Sequence, residues 1–387
     1  MNKKYEKSVI ITGAGGFLGK NIIKEFSERD YHIIALDINQ SELEKIKKRD
    51  EKVETIHIDL LHGDLVPIFS RIIQECKDAY MIHLAGLFRF DAPSEQLFLI
   101  NVALTHHVLD AALKVNNWKH IIHISTVSTY GIPYKNRHSN PYSDLKPYQE
   151  NEKQKPDSTY GLTKYKGEQY ALESYKNGLP ITVLRPTLIY GPENQYGLAI
   201  FFQIASICKN LFSGFLKYLL LSLLAIPCRG GTFSHFVHVE DIARACALIL
   251  EKNETVGEAY NIADQDPIDS VDFFNLMMHS ERISFHWAFI PLSKFLISRF
   301  DKIFNRQISD LVGKLLTFLF KLYGLCMHYE CEKIPVKISK EWFAYFQSNY
   351  IWDIRKLLNL GFKHKHPKFH EGAVENVIWY KKHHWIP

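Results

Sequence analysis

The chain has 387 residues, 46% of them hydrophobic and 23% charged, and a net charge of +5 at neutral pH. That length accommodates a large core plus a smaller lobe, and the composition excludes a disordered, fibrous or disulfide-stapled chain. The charge excess is too small to imply nucleic acid, no basic stripe with interleaved aromatics accompanies it, and the six cysteines show neither a C-x-x-C pair nor metal-ligand spacing.

In chain order, the polar segment Met1 to Lys7 leads straight into an apolar run, so a signal peptide is not expected and a cytoplasmic protein with reduced thiols is. Ser8 to Thr12 reads as a first strand, and Gly16 to about Glu28 as a helix with Phe17, Ile22, Ile23 and Phe26 on its inner face. Between them lies Thr12-Gly13-Ala14-Gly15-Gly16-Phe17-Leu18-Gly19, whose glycines fall where a strand turns tightly into a helix. Gly13 permits the turn, Gly16 lets backbone approach a pyrophosphate, and Gly19 lets the helix pack close to the sheet. Phe17 and Leu18 share that cofactor-facing loop. His32 to Leu36 is a short buried strand closed by Asp37, 18 residues after Gly19. A carboxylate there accepts hydrogen bonds from ribose hydroxyls and repels a 2′-phosphate, which favours NAD over NADP.

Thr55 to Ile58 predicts a third strand, followed by Asp59-Leu60. Tyr80 to Leu84 predicts a fourth, ending in Ala85-Gly86, where small side chains let backbone approach a dinucleotide. A fifth, His120 to Ser125, runs into Thr126-Val127-Ser128-Thr129-Tyr130-Gly131. Tyr160 and Lys164 lie four apart on one helical face, so the ammonium can favour ionisation of the phenol. Phe201 to Ile226 is almost continuously apolar, and Ile290 to Met327 is helical in period and basic on its polar side. Either segment suits a membrane interface or the lid of an apolar pocket, or else a core helix pair or dimer contact. His364, His366, His370, His383 and His384 are interleaved with lysines at irregular spacing, so a solvated basic surface is expected there and no metal.

Taken together, these motifs resemble the extended short-chain dehydrogenase/reductase family, within the NAD-dependent epimerase/dehydratase superfamily, with its T-G-x-x-G-x-x-G loop and Y-x-x-x-K pair. The resemblance runs from residue 8 to about 265 through Asn101-Val102, Leu184-Arg185-Pro186, Tyr190-Gly191-Pro192 and Phe236-Val237-His238-Val239-Glu240-Asp241. It implies an α/β Rossmann fold with a doubly wound parallel sheet over 1–186, core elements returning at about 236–265, and a substrate lobe over 187–387. It also implies Tyr160 as acid/base, Lys164 as its electrostatic partner and Thr126 as the hydroxyl that holds the substrate oxygen. Asp59 and Leu60 would bracket adenine, Asn101 would bond backbone, and His238 with Asp241 would brace the lobe.

Val127-Ser128 replaces the Asp-Glu pair of the dehydratases, and Ser234 and His235 stand where nucleotide-sugar enzymes usually carry an arginine for the diphosphate. With the apolar segments, that favours oxidation or reduction of a hydrophobic hydroxy or keto substrate, as in the 3β-hydroxysteroid dehydrogenase-like branch. A nucleotide-sugar 4-epimerase with bound NAD and a non-catalytic dinucleotide sensor are the alternatives. Peripheral membrane contact and a homodimer are further expectations.

Overall fold

The structure is a computed structural model that describes residues 4–89, 92–131, 146–211, 232–283, 306–335 and 348–387. Seven parallel strands form one sheet: β1 (Tyr5–Thr12), β2 (His32–Asp37), β3 (Glu54–His57), β4 (Cys76–His83), β5 (Trp118–Ile124), β6 (Ile181–Pro186) and, last in the chain, the strand Ala259–Ile262. Their spatial order is β3-β2-β1-β4-β5-β6 followed by Ala259–Ile262, so the chain winds outward from β1 and then crosses back to β4. The crevice at the carboxyl ends of β1 and β4 is therefore the switch point at which doubly wound sheets bind ligands.

Both faces of this sheet are covered, which explains why Val9, Ile10 and Ile11, like Ile33 to Leu36, are buried in unbroken runs instead of alternating. One face packs against α1 (Phe17–Ser27), α2 (Gln40–Arg49) and the helix Val239–Leu250. The other packs against α3 (Val66–Glu75), α5 (Leu104–Leu113) and α6 (Thr159–Lys176). Ahead of α5 the short α4 (Ser94–Phe98) continues through a π-helical turn, Leu99–Ala103. The stretch Ser94–Leu113 is long and apolar enough to cross a membrane, yet it sits against the sheet with Leu97, Leu104, Val108, Leu109 and Ala112 buried.

The smaller lobe holds β7 (Leu188–Tyr190) and α7 (Leu198–Leu211), then β8 (Phe233–Ser234) and β9 (Phe236–His238). Strand β7 pairs in parallel with β9, and β8 pairs antiparallel with Ile268–Asp269. With Val239–Leu250 as α8 and Ala259–Ile262 as β10, the lobe closes on α9 (Ser270–Ser280), α10 (Arg306–Met327) and, after the short α11 (Arg355–Asn359) that packs Leu357 on the sheet core, α12 (Phe369–Lys382). Its core gathers Tyr190, Phe202, Phe236, Phe273, Phe274, Phe369 and Tyr380.

The expected strands are present, but β1 and β4 begin earlier than their apolar runs. Tyr5, Lys7 and Ser8 pair with Cys76, Asp78 and Ala79, so ladder bonds extend both strands through polar residues. Residues 212–226 and 290–305 of the two apolar segments lie outside the described residues.

Candidate active site

Gly13 has φ +70°, the left-handed region glycine favours, and a Cβ there would lie 2.8 Å from Ala85 Cα. The loop after β1 thus presses against the segment after β4, and no side chain larger than hydrogen fits at Gly13. Gly19 packs as tightly, since a Cβ on it would stand 2.5 Å from Gly13 O and 2.6 Å from Ala14 O. Gly16 is the N-cap of α1 and supplies no side chain to it, so the positive end of the helix faces the crevice through bare backbone.

Asp37, at the end of β2, is buried; one carboxylate oxygen accepts from Gly15 N at 2.8 Å and the other from Asn39 N at 2.8 Å. The carboxylate both braces the glycine loop and faces the adjoining cleft. That cleft, about 630 Å³, is lined by Gly13, Gly16, Phe17, Leu18, Asp37, Asp59, Leu60, Ala85 and Gly86, and also by Thr126, Tyr160 and Lys164. Of the residues singled out from the sequence as cofactor-binding or catalytic, only Gly19 is not in the lining, because it is buried under the loop. A cradle of glycine backbone, a helix N-terminus and a carboxylate at the second strand suits NAD, with no arginine among Asp37, Ile38 and Asn39 to accept a 2′-phosphate.

Thr126 caps a 3-10 turn, Val127–Tyr130, directly after β5; its Oγ1 accepts from Ser128 N at 3.2 Å. Ser158 caps α6 by accepting from Gly161 N at 3.0 Å, which places Tyr160 in the first turn and Lys164 one turn later. The Tyr160 ring meets Phe88 edge-on at 5.2 Å. Lys164 Nζ donates to Ile124 O at 2.7 Å and lies 3.9 Å from where a Cβ on Gly86 would be. Burial pushes the Lys164 ammonium down to about 8, against the opposing influence of Glu168.

The residues that hold this arrangement were not singled out as functional from the sequence. Glu168, fully buried, follows Lys164 by one turn and accepts from Ser125 Oγ at 2.5 Å, Gln154 Nε2 at 2.8 Å and Arg185 Nη2 at 2.6 Å. Arg185 also donates to the Tyr130 hydroxyl and, at 3.0 Å, to Glu150 O. One buried ion pair thereby ties the Thr126 turn to the helix of Tyr160 and Lys164. The i, i+4, i+8 repeat of Tyr160, Lys164 and Glu168 is the signal that could have revealed Glu168. Asn101, in the π-helical turn, accepts from Leu87 N at 2.7 Å and donates to Thr163 Oγ1 at 3.1 Å, which matches its expected backbone role.

Away from the cleft, Asp241 accepts from Lys365 N at 2.6 Å and His366 N at 2.9 Å, which fastens the C-terminal segment to α8. The expected solvated histidine surface needs correction at two positions. His366 is buried beside Glu240 at 3.1 Å, and His364 Nε2 bonds Ala263 O at 2.7 Å, because this segment docks on the core. His238, Glu240 and His366 each bring a ligand-type atom within 4.8 Å of the others. Glu240, however, already has partners: its hydrogen bond to His366, with those to Lys365 and Lys24, holds the carboxyl well below its usual range. Ser234 lies in β8, outside the cleft lining, with its backbone paired to Ile268.

A family model described as "NAD dependent epimerase/dehydratase family" matches residues 9–263. UDP-glucuronate 4-epimerase 4 of Arabidopsis thaliana is 26% identical over 258 residues, which cover 64% of this chain and 54% of that protein. The chain thus spans about half the length of that plant relative. A putative UDP-glucose 4-epimerase of Methanocaldococcus jannaschii is 27% identical over 281 residues, 70% of this chain and 81% of its own. Among solved structures, UDP-glucuronic acid 4-epimerase from Bacillus cereus in complex with NAD superposes with a TM-score of 0.64 at 18% identity, covering 97% of this chain and 99% of that one. The terminal R domain of the myxalamid PKS-NRPS pathway gives 0.63 at 17%, covering 96% and 89%. At these identities the two structures speak for the fold.

Proposed function

The chain belongs to the NAD dependent epimerase/dehydratase family, and from that premise we propose that it reversibly oxidises a secondary alcohol of a nucleotide-linked sugar, inverting that carbon. The observation that carries this reading is the convergence of Thr126, Tyr160 and Lys164 with the glycine cradle and Asp37 in one cleft. Nucleotide-sugar 4-epimerases among the relatives support the substrate class.

NAD, when bound, supplies the hydride acceptor and donor. The chain's own residues supply the rest. Tyr160 removes the proton from the substrate hydroxyl, and the charge on Lys164 favours the phenolate that does so. Thr126 donates to the same oxygen and keeps it against Tyr160. Buried Glu168 and Arg185 hold the two catalytic elements in register. For a 4-epimerase the keto sugar must turn its other face before Tyr160 returns the proton.

The test is to incubate the purified protein and NAD with UDP-glucuronate or UDP-glucose and follow the 4-epimer by chromatography, with absorbance at the NADH band in parallel. Epimer formation without net NADH is expected, and Tyr160→Phe should reduce it by about 10²- to 10⁴-fold while NAD binding persists. Full activity in that variant would remove Tyr160 from the reaction.

A second reading is favoured by Ser234, which occupies the place of the expected diphosphate-gripping arginine and is absent from the cleft lining. On that reading the substrate is an apolar hydroxy compound of the sterol or long-chain type, and NADH accumulates stoichiometrically with its oxidation.

A further inference from the structure

The helix α10 is apolar on two opposite faces. Phe320 is buried in the lobe core, with Leu316 and Tyr323 packed beside it. Across the helix Phe318 is 63% exposed, Leu322 49% and Leu325 68%, at the i, i+4, i+7 spacing that forms a continuous stripe, with Leu319 at its edge. Isolated exposed leucines are ordinary; a stripe of this kind on a helix already anchored by its other face marks an interaction surface.

Charge identifies the partner. Lys314 and Lys321 are exposed and, at 100° per residue, fall together along one border of the stripe. From Lys314 to Met327 the helix contains no Asp or Glu, and over its whole length Asp310 alone stands against Arg306, Lys314 and Lys321, so a second copy of this surface would set one net positive charge against another. An anionic lipid surface satisfies both features, since it takes apolar side chains into the acyl boundary and meets flanking lysines with phosphates. We propose that α10 is a membrane-docking face that lies in the plane of an anionic bilayer, with Phe318, Leu322 and Leu325 inserted and Lys314 and Lys321 at the headgroups.

The experiment is flotation of the full chain with vesicles of phosphatidylcholine alone and with about 30 mol% phosphatidylserine. Binding is expected on the anionic vesicles, weakened by salt. Phe318→Glu/Leu322→Glu/Leu325→Glu should lower the bound fraction about tenfold or more, and Lys314→Glu/Lys321→Glu should abolish the preference for anionic lipid. Because all five side chains are exposed, unchanged NAD binding and an unchanged thermal transition verify that the variants are folded. A wild-type chain that stays unbound on both vesicles overturns the proposal. So does a wild-type dimer, seen by light scattering, that the triple substitution dissociates, since the stripe would then belong to a second copy. None of these readouts depends on the substrate.

Discussion

Lys164 offers a quantitative check on the site in the protein without bound dinucleotide. Burial pushes its ammonium from 10.5 down to about 8. At about 1.4 kcal/mol per pH unit, keeping that charge inside the fold costs about 3 kcal/mol. The sign follows from which state holds the proton. Below pH 8 both states are protonated and the folded protein bears the whole cost. Between 8 and 10.5 the unfolded chain keeps a proton the folded chain has released, so stability rises with pH. Above that window both are neutral and the cost is gone. Other groups titrate over the same range, and the Lys164→Met variant subtracts them. Urea unfolding of both proteins from about pH 7 to 11 should show the stability advantage of the variant shrinking by about 3 kcal/mol across the window. An advantage that stays constant, or grows with pH, would refute the placement of Lys164 as a buried cation.

Two further substitutions probe the cofactor cradle and the brace behind Tyr160 and Lys164. Asp37→Ala removes the acceptor that braces Gly15 N and the charge that opposes a 2′-phosphate, so NAD affinity should fall about tenfold and the preference for NAD over NADP should shrink, as read by fluorescence titration. An unchanged ratio of the two affinities would show that Asp37 does not face the ribose. Glu168→Gln leaves Arg185 buried without its counter-charge and should cost about 3 to 5 kcal/mol in urea unfolding. Adding Arg185→Met should recover part of that loss, and strict additivity of the two changes would argue against a coupled pair.

What the sequence made legible is what local chemistry encodes. The glycine loop, Asp37, Tyr160 and Lys164 are each defined by neighbours within a turn or by a strand end, and the structure brings them to one cleft. The Glu168 brace is different in kind: Arg185 lies 17 residues away, Ser125 lies 43, and only the packing of α6 over β5 and β6 makes them adjacent. The early starts of β1 and β4 were hidden for a related reason, since polar residues extend a strand wherever the neighbouring ladder already exists. His366 looked solvated among lysines, and docking of the C-terminal segment on Asp241 buries it.

These contrasts separate chemistry from substrate. Thr126 directly follows β5, and Tyr160 and Lys164 lie on α6, against a sheet whose order is set by long apolar runs, and their positions are braced by the Glu168–Arg185 pair and by Asn101. Phe88 stands edge-on to Tyr160, Tyr196 and Gly197 close the cleft from the lobe side, and Ser234 has withdrawn into a strand pairing. It follows that restoring an arginine at position 234 is not enough to create a diphosphate clamp here, because the backbone of Ser234 is held in β8 and its side chain is buried away from the cleft.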